Sequence, residues 1–156
     1  MLKPYRRFAV ACAVSLVIAA TACTTALITG PIVMRKADLS ITLTRLTKGP
    51  NQYNTAGGYW QPKPRRKFLW ATFAIRNGGK AEQVVRLEHF ILHIGSKQVK
   101  PFIIDMDSAV TVKANPEPRL AAGESVSRKI IYVILDSETP EKLSYEKDVI
   151  PIPPPR

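Results

Sequence analysis

Cysteine is scarce in this chain. Two in 156 residues leave no disulfide framework. Histidine is equally sparse, with only His89 and His93. Acidic residues number 12 against 23 Lys and Arg, and the formal net charge is +11. That surplus favours anionic partners such as lipid head groups, acidic glycans or nucleic acid, without choosing among them. There is no nucleophile-elbow serine and no phosphate-cradling glycine loop, so the chain reads as non-enzymatic and without a cofactor. No segment after Met34 keeps a helical period, which argues against a helical domain.

The N-terminus explains where the cysteines fall. Lys3, Arg6 and Arg7 precede an apolar run over residues 8–20, and Ala20 and Ala22 then form an A-x-A pattern before Cys23. This is the plan of a secretory signal peptide. Cys12 would leave with it, and Cys23 would be the only cysteine of the mature chain. The residues "ATAC" also resemble a bacterial lipobox, whose cysteine becomes the acylated first residue; Ala20 stands where that motif usually carries Leu. Lipidation at Cys23 is therefore expected. The rival is an uncleaved signal anchor. Residues 8–34 up to Met34 carry no charge, and a helix running to about position 29 is long enough to cross ~30 Å of hydrocarbon. Both readings leave the domain outside the cytoplasm, anchored to a cell-envelope membrane. The expected organisation is a signal peptide or anchor start at 1–22, a tether at 23–37, one β-domain at 38–150 and a mobile Pro-rich tail at 151–156.

The body of the chain reads as strands. "LSITLTRL" puts Leu39, Ile41 and Leu43 on one face, and "KFLWATFAIRN" puts Leu69, Ala71, Phe73 and Ile75 inward. Asn77-Gly78-Gly79 stops the latter with turn residues. In "VVRLEHFILHI" the apolar parity shifts between Leu87 and Phe90, suggesting a bulge or a twisted strand. Gly95-Ser96 predicts a hairpin with a primed turn. "AVTV" predicts a short strand, "SVSRKIIYVIL" a central strand apolar on both faces, and "KLSYEKDVI" a final strand. Short strands separated by turns indicate a sandwich or a barrel.

Three pieces carry a family resemblance: "FLWATFAIRNGGK", "FILHIGSKQVKP" and "LAAGESVSRKIIYVI". Over residues 38–145 the chain resembles a bacterial family of secreted immunoglobulin-like domains of unknown function, which includes a secreted immunogenic protein and many lipoproteins. Ala122 stands where the family often has Pro. The resemblance implies an all-β, immunoglobulin-like antiparallel β-sandwich of seven or so strands, preceded by the N-terminal signal or anchor segment. It carries over no catalytic residue.

Few side chains suggest chemistry. On a strand, His89 and His93 would lie ~13 Å apart, too far to share one ion. Asp105 and Asp107, alone or with Asn115 and Glu117, lack the spacing of a calcium loop and read as solvated loop acids. One stretch stands out, "GGYWQPKPRRK" at residues 57–67, in a long loop over about 49–66. Tyr59 and Trp60 suit a membrane interface or stacking on sugars and bases; Lys63, Arg65, Arg66 and Lys67 suit anionic groups. Trp60 tucked against the domain above a merely solubilising loop is the plainer alternative. In an exported domain, a binding loop favours anionic lipid or an envelope polymer over nucleic acid. The expected role is a membrane-anchored, extracytoplasmic interaction module of the bacterial cell envelope. The alternative is a scaffold component of an envelope protein assembly with no small ligand.

Overall fold

A computed structural model describes residues 24–154. Within them every extended element pairs antiparallel. The first sheet has the order β1-β3-β6-β12-β10, with β2 also on β3. Its members are β1 (Thr25–Ala26), β2 (Ile32–Lys36), β3 (Leu39–Lys48), β6 (Arg66–Asn77), β10 (Ile103–Met106) and β12 (Ser125–Leu135). The second sheet runs β14-β13-β8-β9, from β8 (Phe90–Ile94), β9 (Lys97–Val99), β13 (Lys142–Tyr145) and β14 (Asp148–Pro151). Two small ribbons complete the fold: β4 (Tyr53–Thr55) with β5 (Gly58–Trp60), and β7 (Gln83–Val84) with β11 (Arg119–Leu120). The described residues are all-β, and the two facing sheets are consistent with a β-sandwich.

Alternation decides which faces meet. Leu39, Ile41 and Leu43 of β3 and Leu69, Ala71, Phe73 and Ile75 of β6 are buried as expected. They meet Phe90 and Leu92 of β8 and Leu143 and Tyr145 of β13 in one core. Phe73 and Phe90 rings lie 4.5 Å apart across it, and Phe90 and Tyr145 lie 4.7 Å apart. The Tyr132 hydroxyl crosses the core to donate to the Phe90 carbonyl at 3.0 Å. Strand β12 is central, flanked by β6 and β10, which explains its two apolar faces. Ile130, Tyr132 and Ile134 enter the main core, while Ile131 faces the opposite side of the sheet.

Asn77 does more than stop β6. Fully buried, its amide donates to the carbonyls of Ala81 (2.8 Å), Leu120 (3.0 Å) and Ala121 (3.1 Å), and its Oδ1 accepts from the Gly79 N–H (2.9 Å). It ties the β6–β7 turn to the segment entering β12. Gly79 has a steric reason as well: a Cβ there would lie 2.6–2.7 Å from the Asp38 side chain.

Several sequence expectations need correction. Residues 23–37 were expected as a tether, but Thr25–Ala26 pairs with Lys48 and Thr47, and Ile32–Lys36 pairs with Leu43 through Leu39. Ile28 and Met34 are core residues. The domain therefore begins well before position 38, and a membrane helix reaching position 29 does not fit residues 24–29. Among the described residues no helix is long and apolar enough to cross a membrane. The signal segment and Cys23 lie outside those residues. The parity shift before Phe90 is a short 3-10 turn, Leu87–His89, instead of a bulge. The stretch "AVTV" forms no strand of its own, and only Lys113 makes a bridge, to Asp105. The final expected strand is two, β13 and β14, joined by a turn in which Glu146 takes a φ of 54°. The tail is docked where it begins, since Ile152 is buried and its N–H donates to Glu141. Gly95, with a φ of 55°, fits the primed turn expected between β8 and β9.

Candidate basic end and outer cleft

The long loop between β3 and β6 folds back over the outer face of the first sheet. Tyr53 is its keystone, almost fully buried with Phe68, Ile103 and Ile131 and flanked by Trp70 and Val133. The Trp70 indole N–H donates to the Pro50 carbonyl (2.8 Å), and the Phe68 N–H to Asn51 Oδ1 (3.2 Å). Sequence reading missed Tyr53. Its only signal was an aromatic in the loop opposite the apolar outer positions of β6 and β12.

The loop then returns through a tight turn. The Arg66 N–H bonds the Lys63 carbonyl at 3.0 Å, with Pro64 second and Arg65 third, at a φ of 63°. That is the pattern of a type II turn, which normally reserves its third position for Gly or Asn. An arginine there holds a left-handed backbone that costs about 1–2 kcal/mol. Neighbouring bonds keep it in place, for the Arg65 carbonyl accepts from the Asp136 N–H at 2.9 Å.

The structure brings Lys63, Arg65, Arg66 and Lys67 together at one end of the sheet with Lys48. Asp136 neutralises part of the group. Lys67 Nζ lies 2.7 Å from its carboxylate, and Lys48 Nζ donates to its carbonyl at 2.9 Å. The hydrogen bond from Lys67 is the main cause that lowers the Asp136 pKa. Lys63, Arg65 and Arg66 have no ion pair among the described residues. Tyr59 is exposed. Trp60 is 54% exposed, with its ring edge-on to Phe102 at 5.9 Å.

This basic end is also where the described chain begins. Thr25 pairs with Lys48, and Lys48 with Leu69. Continuing outward along β6 reaches Arg66 in the direction in which the chain leads back toward Cys23. From strand spacing and rise, the Thr25 and Arg66 backbones are about 14 Å apart.

A second feature lies on the outer face. A cleft of about 900 Å³ separates the β4–β5 hairpin from residues 109–113, with Tyr53, Thr55 and Trp60 on one wall and Val110, Val112 and Lys113 on the other. Beside it, Asp105 is 1% exposed, contrary to the expectation of a solvated acid. It shares the outer face of β10 with Ile103, two positions away, a parity visible in the sequence. Burial raises its pKa, against the N–H groups of Val112 and Met106 and the charge of Lys129 opposite. Asp107 is exposed, 2.9 Å from Ser127 Oγ and 3.8 Å from Lys129.

The remaining candidates do not converge. His93 Nε2 is 2.7 Å from Ser144 Oγ, while His89 lies on the 3-10 turn, 3.8 Å from Glu146. Asn115 caps the Glu117 N–H, and Glu117 faces Arg86. Among the described residues no group of three or more His, Cys, Asp or Glu side chains could hold a metal ion.

No family model matches the chain, and no curated protein matches it. Solved structures do. One is a functionally unknown protein from Listeria monocytogenes EGD-e, similar at 11% identity with a TM-score of 0.55, over 86% of this chain and 90% of that one. Another is a conserved hypothetical protein from Bacillus anthracis, at 10% identity and a TM-score of 0.53, over 83% and 97%. At such identity the likeness is one of fold alone.

Proposed function

We propose that this chain is a membrane-anchored, extracytoplasmic interaction module of a bacterial cell envelope, immunoglobulin-like and non-catalytic, whose basic end rests on an anionic surface. One observation carries the reading: Lys63, Arg65 and Arg66, which make no salt bridge among the described residues, lie at the end of the sheet where the described chain begins. With Cys23 acylated, Thr24 alone separates the lipid from β1, so an anchored domain has little freedom to turn its basic end away. Each Lys or Arg at an anionic membrane contributes about 1 kcal/mol within a Debye length of ~8–10 Å. Three give about a hundredfold preference for anionic over neutral lipid. Trp60 and Phe102, both half-exposed, offer aromatic edges close by.

The test is co-sedimentation of the anchor-free domain, residues 24–156, with vesicles of phosphatidylglycerol and phosphatidylcholine, against phosphatidylcholine alone, over a salt series. Preferential binding to the anionic vesicles that weakens with salt is expected. Replacing Lys63, Arg65 and Arg66 together with Ser should remove most of the preference. Equal binding to both vesicles would defeat the reading. The alternative, a scaffold component of an envelope assembly, draws on the exposed apolar side chains around the outer cleft.

A further inference from the structure

We infer that the outer cleft takes an extended segment of a partner protein, added as a β-strand along residues 111–113. The inference does not depend on the basic end or on anchorage. It begins with two backbone hydrogen bonds. The Met106 N–H donates to the Val112 carbonyl at 2.9 Å, and the Ala114 N–H to the Ile104 carbonyl at 3.2 Å. They straddle the bridge between Asp105 and Lys113. In an antiparallel pair so placed, the N–H and C=O of Lys113 point away from β10, and by alternation so do those of Thr111. No hydrogen bond among the described residues occupies any of these four groups. They form an open edge beyond β10, where the first sheet ends. Such a row is a template for another strand.

The cleft supplies what an incoming strand needs besides backbone partners. Trp60 (54% exposed), Val110 (69%) and Val112 (44%) line it, and Phe102 (46%) touches Trp60. Exposed apolar side chains gathered this way mark an interaction site. A strand on this edge sends alternate side chains to one side, so every second residue of the partner would be apolar. Lys113 has no ion pair among the described residues and stands at the edge itself. An Asp or Glu in the partner segment complements it. Residues 111–113 present about 10 Å of edge, facing three residues of the partner segment.

The test uses the full chain and an acetylated, amidated peptide, Thr-Val-Asp-Val-Thr-Val-Asp-Thr. Titration calorimetry is expected to give a Kd of about 1 mM or tighter. Hydrogen exchange read by mass spectrometry is expected to slow at the amides of 109–114. N-methylating alternate peptide residues removes the donors on one edge only, so one methylation register should weaken binding at least tenfold and the other much less. Lys113→Glu, with its thermal midpoint checked, should weaken this peptide and favour the version with Lys in place of Asp. Absence of binding at 1 mM overturns the inference, as does protection confined to another edge. Equal affinity for both methylated registers also overturns it, and would mark the cleft as a pocket for a small apolar ligand.

Discussion

Replacing Asn77 with Ala should destabilise the domain by about 3 kcal/mol, and the structure supplies the parts of that figure. The amide's two hydrogens are spread over three carbonyls, and its oxygen holds a fourth group, the Gly79 N–H. Leu120 is 1% exposed, so water cannot easily replace the lost donor; a buried carbonyl left unsatisfied costs about 1–3 kcal/mol. Ala81 and Ala121 are exposed residues and Gly79 is half-buried, so water recovers part of those bonds and each loss contributes about 0.5 kcal/mol. The assay is urea unfolding followed by tryptophan fluorescence. With a urea m-value of about 2 kcal/mol/M, the midpoint should fall by about 1.5 M. Asn77→Asp sharpens the test. It keeps the acceptor for Gly79 but sets a carboxylate against three carbonyl oxygens, which drives its folded pKa above the unfolded value of about 3.9. The variant should therefore lose more stability at pH 7 than at pH 4, because the protonated form is the one the fold tolerates. A loss below 1 kcal/mol for Asn77→Ala, or no pH dependence for Asn77→Asp, would refute the assignment of Asn77 as the tie between the two segments.

Other substitutions probe separate parts of the fold. Asp105 has its pKa raised by burial, so its contribution is intact below about pH 3.9 and is lost as pH rises through the folded value. Asp105→Asn should accordingly stabilise the protein at pH 7 and leave it unchanged near pH 3, as read by thermal melts at the two pH values. Tyr132→Phe removes the hydroxyl that crosses between the sheets and should cost about 1–2 kcal/mol in urea unfolding. Cys23→Ser should abolish metabolic labelling with a radiolabelled fatty acid and the mass increment of an acylated mature chain; labelling that survives the substitution would place the lipid elsewhere.

Strand interiors were the most legible part of the chain, because each of these strands has one face in the main core and alternation is a direct record of that. Residues 69–75 of β6 show this most plainly. Reading failed where pairing depends on distant partners. The segment at 25–36 is apolar, follows a signal-like run and contains Gly30-Pro31, so it resembles the approach to an anchor. Only its pairing with β3 makes it an edge strand. Asp105 looked like a loop acid because the groups around it, Tyr53, Val112 and Lys129, come from three separate segments. The basic residues of the candidate site were visible as a run. Their place at the same end as Thr25 follows from the register of three strands, which no local pattern encodes.

The orientation of the basic end is the central claim, and amine footprinting of the full chain on anionic vesicles tests it most directly. Lysine acetylation is compared by mass spectrometry in the free and bound protein. Lys48 and Lys63 lie at the basic end, whereas Lys80 and Lys147 lie in turns at the opposite end. The account predicts that Lys63 loses most of its reactivity on binding, Lys48 part of it, and Lys80 and Lys147 none. Protection of Lys80 or Lys147, or equal protection of all four, would contradict it.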